Sequence, residues 1–282
     1  MPIQSAPFPL LPRDTARAAE AAFGKGNIYL TIGDQMEHLL ADVALADLTA
    51  PMGKPGATLA PALVTAFQFA ENLPDRRAAE AVRTRTDWKY ALHMPLDGPA
   101  FDYQVLCEFR KQTLHDPAAW RAFQQMLDRL AEIGLLRNVD NQTIEATGIL
   151  TAVCLASRLE RLAEAMRMTL EILATRKPEW LRRVTLPHWY ERYNRVLATC
   201  LLPRTGKEQQ DLAQAIGADA LYLLEAIGDV NTGLALTPEV QGLWQEWRQQ
   251  FDQSAHDAQW RSPFCAVCQE KNGLPKGEAQ PA

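Results

Sequence analysis

The sequence predicts a mainly α-helical protein, and three observations carry that prediction. Ala, Leu, Arg, Glu and Gln dominate the chain, and these are good helix formers. Runs of β-branched residues are almost absent, and only 15 of 282 residues are glycine. Apolar residues recur three and four apart in nearly every long segment, the period of a helix with one buried face. The expected architecture is an N-terminal helix-turn-helix-like domain followed by a second helical segment. At most one or two short strands are expected, near 142–150. The expected parts are an extended arm over 1–13, a helical domain over 14–136, a second helical segment over 137–260 and a loose tail over 261–282.

The elements follow in order. Four prolines among the first 13 residues favour the extended arm. A first helix is expected over about 14–23, broken by Gly24 and Gly26. A second, over about 31–40, carries Met36, Leu39 and Leu40 on one face. MGKPG (52–56) has the composition of a turn. A compact set of short helices comes next. The first, about 59–72, places Leu59, Leu63, Phe67 and Ala70 at helical spacing. Leu73, Pro74 and Asp75 form a stop and restart, with Asp75 as the expected N-cap. Helices at about 76–83 and 87–92 follow, then a loop, MPLDGPAF (94–101). Asp102 caps a helix to about Leu114, with Val105, Leu106 and Phe109 facing inward. Short helices joined by tight turns outline a helix-turn-helix module.

A longer helix over about 117–133 carries Trp120, Phe123, Met126, Leu127 and Leu130 on its apolar face and ends at Gly134. QTIEATGIL (142–150) is the one stretch with strand character. Cys154 to about Ala174 is strongly helical and rich in Arg and Glu. Pro178, Pro187 and Pro203 punctuate the chain after it. A good helix covers 208–226, and the last surrounds Leu243 to Phe251. No fixed-period internal repeat is found.

Composition excludes several classes. An apolar fraction of 47% is enough to build a core, so wholesale disorder is excluded. No run of eighteen apolar residues predicts a membrane span. The first residues lack the basic and apolar regions of a signal peptide. Five scattered cysteines, an odd number, read as reduced thiols, and the expected location is cytoplasmic. The net charge of −5 argues against a general polyanion binder. Its distribution is uneven: residues 158–207 hold 11 basic and 5 acidic side chains, and 208–282 hold 4 basic and 11 acidic.

Candidate chemistry is sparse. Arg76, Arg77, Arg83, Arg85 and Lys89 crowd one short stretch against Glu80 and Asp87, with Trp88 and Tyr90 nearby. Arginine forks suit phosphate oxygens and guanine edges. The competing reading is a solvated helix face beside a buried Trp. The helix at 102–114 carries Arg110 and Lys111; it either enters a groove or packs against 59–72. Cys265 and Cys268 form a single CxxC, two ligands where a structural zinc needs four. Chance thiols are the favoured reading, and a zinc shared between two tails of a dimer is the other. His38, His93, His115, His188 and His256 show no metal-ligand spacing, and no Walker, GxGxxG or GxSxG motif is present. No metal site and no cofactor are expected.

Several blocks carry a family resemblance: ALVTAFQFAE (62–71), LPDRRAAEAVR (73–83), DWKYAL (87–92), and Phe101 and Asp102 leading to Val105, Leu106, Glu108, Phe109 and Arg110. Farther on come SRLE (157–160), WYERY (189–193) and QAIGAD (214–219). In this order they resemble bacterial insertion-sequence transposases of the DDE class with an InsH-type N-terminal domain, over about residues 19–247. The resemblance implies DNA binding through 59–114, by Arg76, Arg77, Arg83, Arg85, Lys89, Arg110 and Lys111, with the element's terminal repeats as partner.

It also implies the family's activity, metal-dependent cutting and joining of DNA ends by three carboxylates around two divalent cations. The first carboxylate usually stands in a segment like D-[S/G]-T-H-V-L. Here that place reads EATGIL (145–150), with Glu145 for the Asp and Gly148 for the His. The extra methylene of Glu145 displaces the carboxylate by about 1 Å, more than catalytic placement tolerates. The rest of the catalytic sheet should follow, but the pattern is lost near Trp260. The expectation is therefore a truncated transposase-like protein that binds DNA without strand transfer of its own. Mg²⁺ would be needed only if another chain completed the site. Two alternatives stand beside it: a helical dimerisation or interaction protein built on 154–251, and one part of a split active transposase.

Overall fold

In the computed structural model, the described residues are 9–24, 26–41, 43, 47–48, 59–98, 101–136, 145–193, 202–203, 206–228, 235, 237–252 and 259–261. They are mainly α-helical, as the periodicity predicts. The turn at 52–56, the residues Cys200, His256, Cys265 and Cys268, and nearly all of the tail lie outside them. The chain divides into two compact units, Met1–Val153 and Cys154–Ala282, each with its own apolar core. The division falls inside a helix, C-terminal to the boundary expected at residue 136.

The first unit opens with α1 (Arg13–Ala22), α2 (Ile28–Asp34) and α3 (Met36–Leu40). One helix was expected over 31–40; two short ones form, joined at Gln35. Asn27 caps α2, accepting from the Tyr29 and Leu30 amides at 2.9 and 3.3 Å. α4 (Ala60–Glu71) follows, with every residue from Ala60 to Gln68 buried. A helix apolar on all sides belongs at the centre of a unit. It ends at Asn72, in the left-handed conformation at φ 56°, which Asn tolerates better than most residues. The Leu73 amide then bonds the Gln68 carbonyl at 2.8 Å, closing the helix end.

The chain restarts at once as α5 (Asp75–Thr84), then α6 (Thr86–Ala91), α7 (Tyr103–His115) and α8 (Pro117–Ile133). Asp102 and Asp116 cap α7 and α8 through the amides of Gln104 and Ala118, each at 2.8 Å. Gly134, at φ 99°, ends α8 where a side chain would be strained. α2 and α1 pack on α6, and α7 packs on α4, α5 and α8. The core holds Phe67, Trp88, Phe109 and Phe123. Phe67 meets Trp88 edge-on at 5.2 Å, and Phe109 meets Phe123 at 5.6 Å. Burying each such ring contributes roughly 1.5–3 kcal/mol. α2 approaches α6 so closely that a Cβ on Gly33 would lie 2.6 Å from the Tyr90 ring.

The strand expected near 142–150 does not form among the described residues. From Ala146 the chain is α9 (Ala146–Arg176), a helix of 31 residues. Ala146, Ile149, Leu150 and Val153 fall three and four apart and are all buried in the first core, so helical packing overrides the local β preference of Ile and Thr.

The second unit comprises the rest of α9, then α10 (Pro178–Val184), α11 (His188–Tyr193), α12 (Gly206–Gly228) and α13 (Pro238–Gln250). Two antiparallel two-residue strands close it, β1 (Phe251–Asp252) and β2 (Gln259–Trp260), with Phe251 opposite Trp260. Gly217 of α12 gives room for the buried Phe251 ring, and its carbonyl accepts the Trp247 indole N–H at 2.9 Å. α11 is tied to α12 by a buried carboxylate, Asp219. It accepts from the Tyr193 hydroxyl at 2.7 Å, lies 3.1 Å from His188 Nε2, and pairs with Arg192. Among the described residues no helix is long and apolar enough to cross a membrane.

Candidate nucleic-acid interface

α4, the turn at Asn72 and α5 place two helices in close succession, and the second of them is amphipathic. Ala78, Ala81 and Val82 of α5 are buried, whereas Arg76 and Arg83 are exposed on its other side. Arg77 is half-buried. The Arg76 guanidinium lies 5.3 Å above the ring of Tyr103, the first residue of α7. Arg83 donates through Nε and Nη2 to one Glu80 oxygen, at 3.1 and 2.5 Å, with 65% of its side chain still exposed. Lys111, on α7, is half-buried. Arg76, Arg77 and Lys111 make no ion pair with a described residue.

The other three cations of the expected set are placed differently. Arg110 is buried, and its fork grips Asp75 with bonds of 2.7 and 2.6 Å to the two carboxylate oxygens. The two side chains are 5% and 8% exposed. Gln68 of α4 completes the site by donating to the same carboxylate at 2.9 Å. Asp75 is therefore not the N-cap, which is Pro74; it is the first residue of α5, turned inward to lock that helix onto α4 and α7. Lys89 is also buried, and its ammonium bonds the Leu96 carbonyl, holding the loop after α6. Neither Arg110 nor Lys89 is placed to meet a ligand in solvent, because leaving these partners would strand a buried opposite charge or acceptor.

Arg85 sits between these extremes. It bonds Glu71 at 2.5 Å and Asp87 at 2.7 and 3.0 Å, and lies 4.9 Å above the Trp88 ring. Glu71 also accepts from the Tyr29 hydroxyl and, at 3.3 Å, from the Trp88 indole. Burial alone disfavours the charge on Arg85. The bonds to Asp87 and Glu71 outweigh it and hold the pKa above the ordinary arginine value. The Tyr29 phenol is likewise held above its ordinary value, first by burial and then by its bond to Glu71. This node joins α2, α4 and α6. Neither Glu71 nor Tyr29 stood among the expected site residues; the one signal was Glu71, the single charge at the end of a largely apolar helix.

Glu145 stands exposed immediately before α9, and its carbonyl accepts the Ile149 amide at 3.2 Å. It therefore opens a helix rather than lying on a strand. Among the described residues no group of three or more His, Cys, Asp or Glu is gathered so that it could hold a metal ion.

Residues 20–112 match the family described as a transposase domain (DUF772), a stretch of about a third of the chain. It runs from α1 through most of α7 and so contains both nodes and the α5 face. No curated protein and no solved structure matches the chain.

Proposed function

We propose that the first unit is the DNA-binding part of a transposase-like protein and holds double-stranded DNA through Arg76, Arg77 and Arg83 of α5 and Lys111 of α7. The observation that carries this reading is the outward face of α5, where long cations remain in solvent after Asp75 has fixed the helix to the core. The match of residues 20–112 to a transposase domain supports it. Arg85, Lys89 and Arg110, by contrast, hold the scaffold that presents this face.

The test is binding of the full chain to a random-sequence 30-base-pair duplex, followed by fluorescence anisotropy across a salt series. Affinity should fall steeply with salt, because phosphate neutralisation releases counterions. Changing Arg76, Arg77, Arg83 and Lys111 together to Ala should weaken binding at least tenfold at low salt and flatten the salt slope by up to about 0.9 per lost phosphate contact. Unchanged affinity and slope in that variant, with its circular dichroism intact, overturns the site assignment.

A second reading concerns the second unit. Leu221, Leu224, Ile227, Val240 and Trp244 line an apolar cavity of about 420 Å³ between α12 and α13. Trp244 is partly exposed there and stacks on Trp247 at 5.9 Å. This favours self-association through that face. Sedimentation of the wild type against Trp244→Asp tests it: a dimer that dissociates in the variant supports the reading, and a wild-type monomer at tens of micromolar rejects it.

A further inference from the structure

We infer that α5 reads sequence, with Arg76 and Arg83 each recognising the guanine of a G·C base pair in the major groove and Glu80 acting as the positioning residue for Arg83. The inference rests on the DNA-binding reading above and deepens it from affinity to specificity.

The choice of helix follows from burial. α4 has no free face, and Asp87 to Ala91 of α6 are buried. The arginine of α7 is committed to Asp75. α5 alone among α4 to α7 offers exposed arginines. Arg76, Glu80 and Arg83 recur at i, i+4 and i+7 and so form one stripe along the helix. The residues beside that stripe, Ala79 and Thr84, are small, so no bulky side chain holds the helix off a groove floor. A helix lying in the major groove is the docking geometry of helix-turn-helix modules.

Spacing converts this stripe into a site. Seven residues at 1.5 Å rise separate Arg76 and Arg83 by about 10.5 Å along the axis. Base pairs are about 3.4 Å apart, so the two arginines address pairs about three steps apart. Guanine offers O6 and N7 as two acceptors, which match two N–H groups of one guanidinium.

Both forks have a partner on the protein before any ligand arrives. Nε and Nη2 of Arg83 share one Glu80 oxygen, which leaves the Nη1 group and one Nη2 hydrogen for a base edge. Arg76 rests on the Tyr103 ring. A side chain already confined loses less rotamer freedom on binding. Glu80 also carries a negative charge toward any phosphate, so a helix serving affinity alone would do better without it. Its place between the arginines is explained by orientation.

The experiment is site selection from a duplex library with a randomised 12-base-pair core, using the full chain, followed by anisotropy on the selected duplex and its single-position variants. The wild type should enrich two G·C pairs about three base pairs apart. Arg76→Ala should lose preference at one of them and Arg83→Ala at the other, each by about tenfold or more. Glu80→Ala should relax discrimination only at the Arg83 position, while affinity for random duplex stays level or rises. Glu80→Gln, which keeps an acceptor, should retain part of that discrimination. Salt-dependent binding with no positional preference, or with a uniform loss in all variants, overturns this inference and leaves the DNA-binding reading standing. No duplex binding at any salt overturns both.

Discussion

The two units each contain a buried carboxylate held by an arginine, yet the two sites differ in their contact with solvent. In the first, Asp75 meets a guanidinium that is itself 5% exposed, and it also accepts from the buried amide of Gln68. In the second, Asp219 is as deeply placed, but Arg192 is 24% exposed and His188 is 47% exposed. A fully enclosed pair has no water to replace a lost partner, whereas a pair opening on solvent does. The Asp75 site therefore fastens α4, α5 and α7 to one another, and the Asp219 site is a more tolerant tie between α11 and α12.

The largest expected effect is at the enclosed pair. Arg110→Ala or Asp75→Ala should each destabilise the first unit by about 3–5 kcal/mol, the usual cost of stranding a buried charge. The double change Asp75→Leu with Arg110→Met should recover most of that loss, because apolar replacements of similar volume leave no charge behind. Urea unfolding followed by circular dichroism measures all three. A single variant that loses less than about 1 kcal/mol would erase the contrast between the units.

Asp219→Ala should cost less, about 1–3 kcal/mol, since the buried Tyr193 hydroxyl loses its acceptor but Arg192 keeps access to water. His188→Ala should cost still less, within the range of about 0–1 kcal/mol for a partner so exposed. Equal losses for these two would show that the histidine, not the guanidinium, holds the site. Gly217→Ala in α12 should destabilise the second unit by about 1–3 kcal/mol, because the new methyl collides with the Phe251 ring in a filled core. Near wild-type stability there would mean that Phe251 has room to move.

The smallest effect is on pH. The phenols of Tyr29 in the first unit and Tyr193 in the second are both held above their ordinary value, chiefly by burial and then by Glu71 and Asp219 respectively. A raised folded-state pKa means that the unfolded chain releases its proton first. The stability that each phenol contributes is therefore present below about pH 10 and falls as pH rises beyond it. Urea midpoints measured from pH 8 to 11 should decline at the upper end. The decline should shrink in Tyr29→Phe and Tyr193→Phe, and a flat profile in the wild type would contradict both assignments.

The family-like blocks of the sequence acquire a physical meaning in these nodes. In DWKYAL (87–92), Asp87 and Trp88 join the Glu71 node, Lys89 fastens a loop, and Tyr90 donates to Asp34 at 2.5 Å. In QAIGAD (214–219), Gln214 accepts from the Trp260 amide at 3.2 Å, Gly217 admits Phe251, and Asp219 anchors α11. Much of what looked like chemistry in these blocks is packing.

The sequence by itself determined the helical class, most helix positions and most of their ends, because these depend on local signals: three-and-four periodicity, the cap at Asp102, and the stop at Gly134. The strand it suggested near 142–150 does not form among the described residues there, because from Ala146 a buried helical face outweighs local preference. Only the tertiary structure decided which cations face solvent. Arg83 and Arg110 stand in equally plausible helical contexts, and what separates them is Asp75, 35 residues away from Arg110 in the chain. Burial of a charge is set by whether a partner arrives from another element, and no local pattern encodes that meeting.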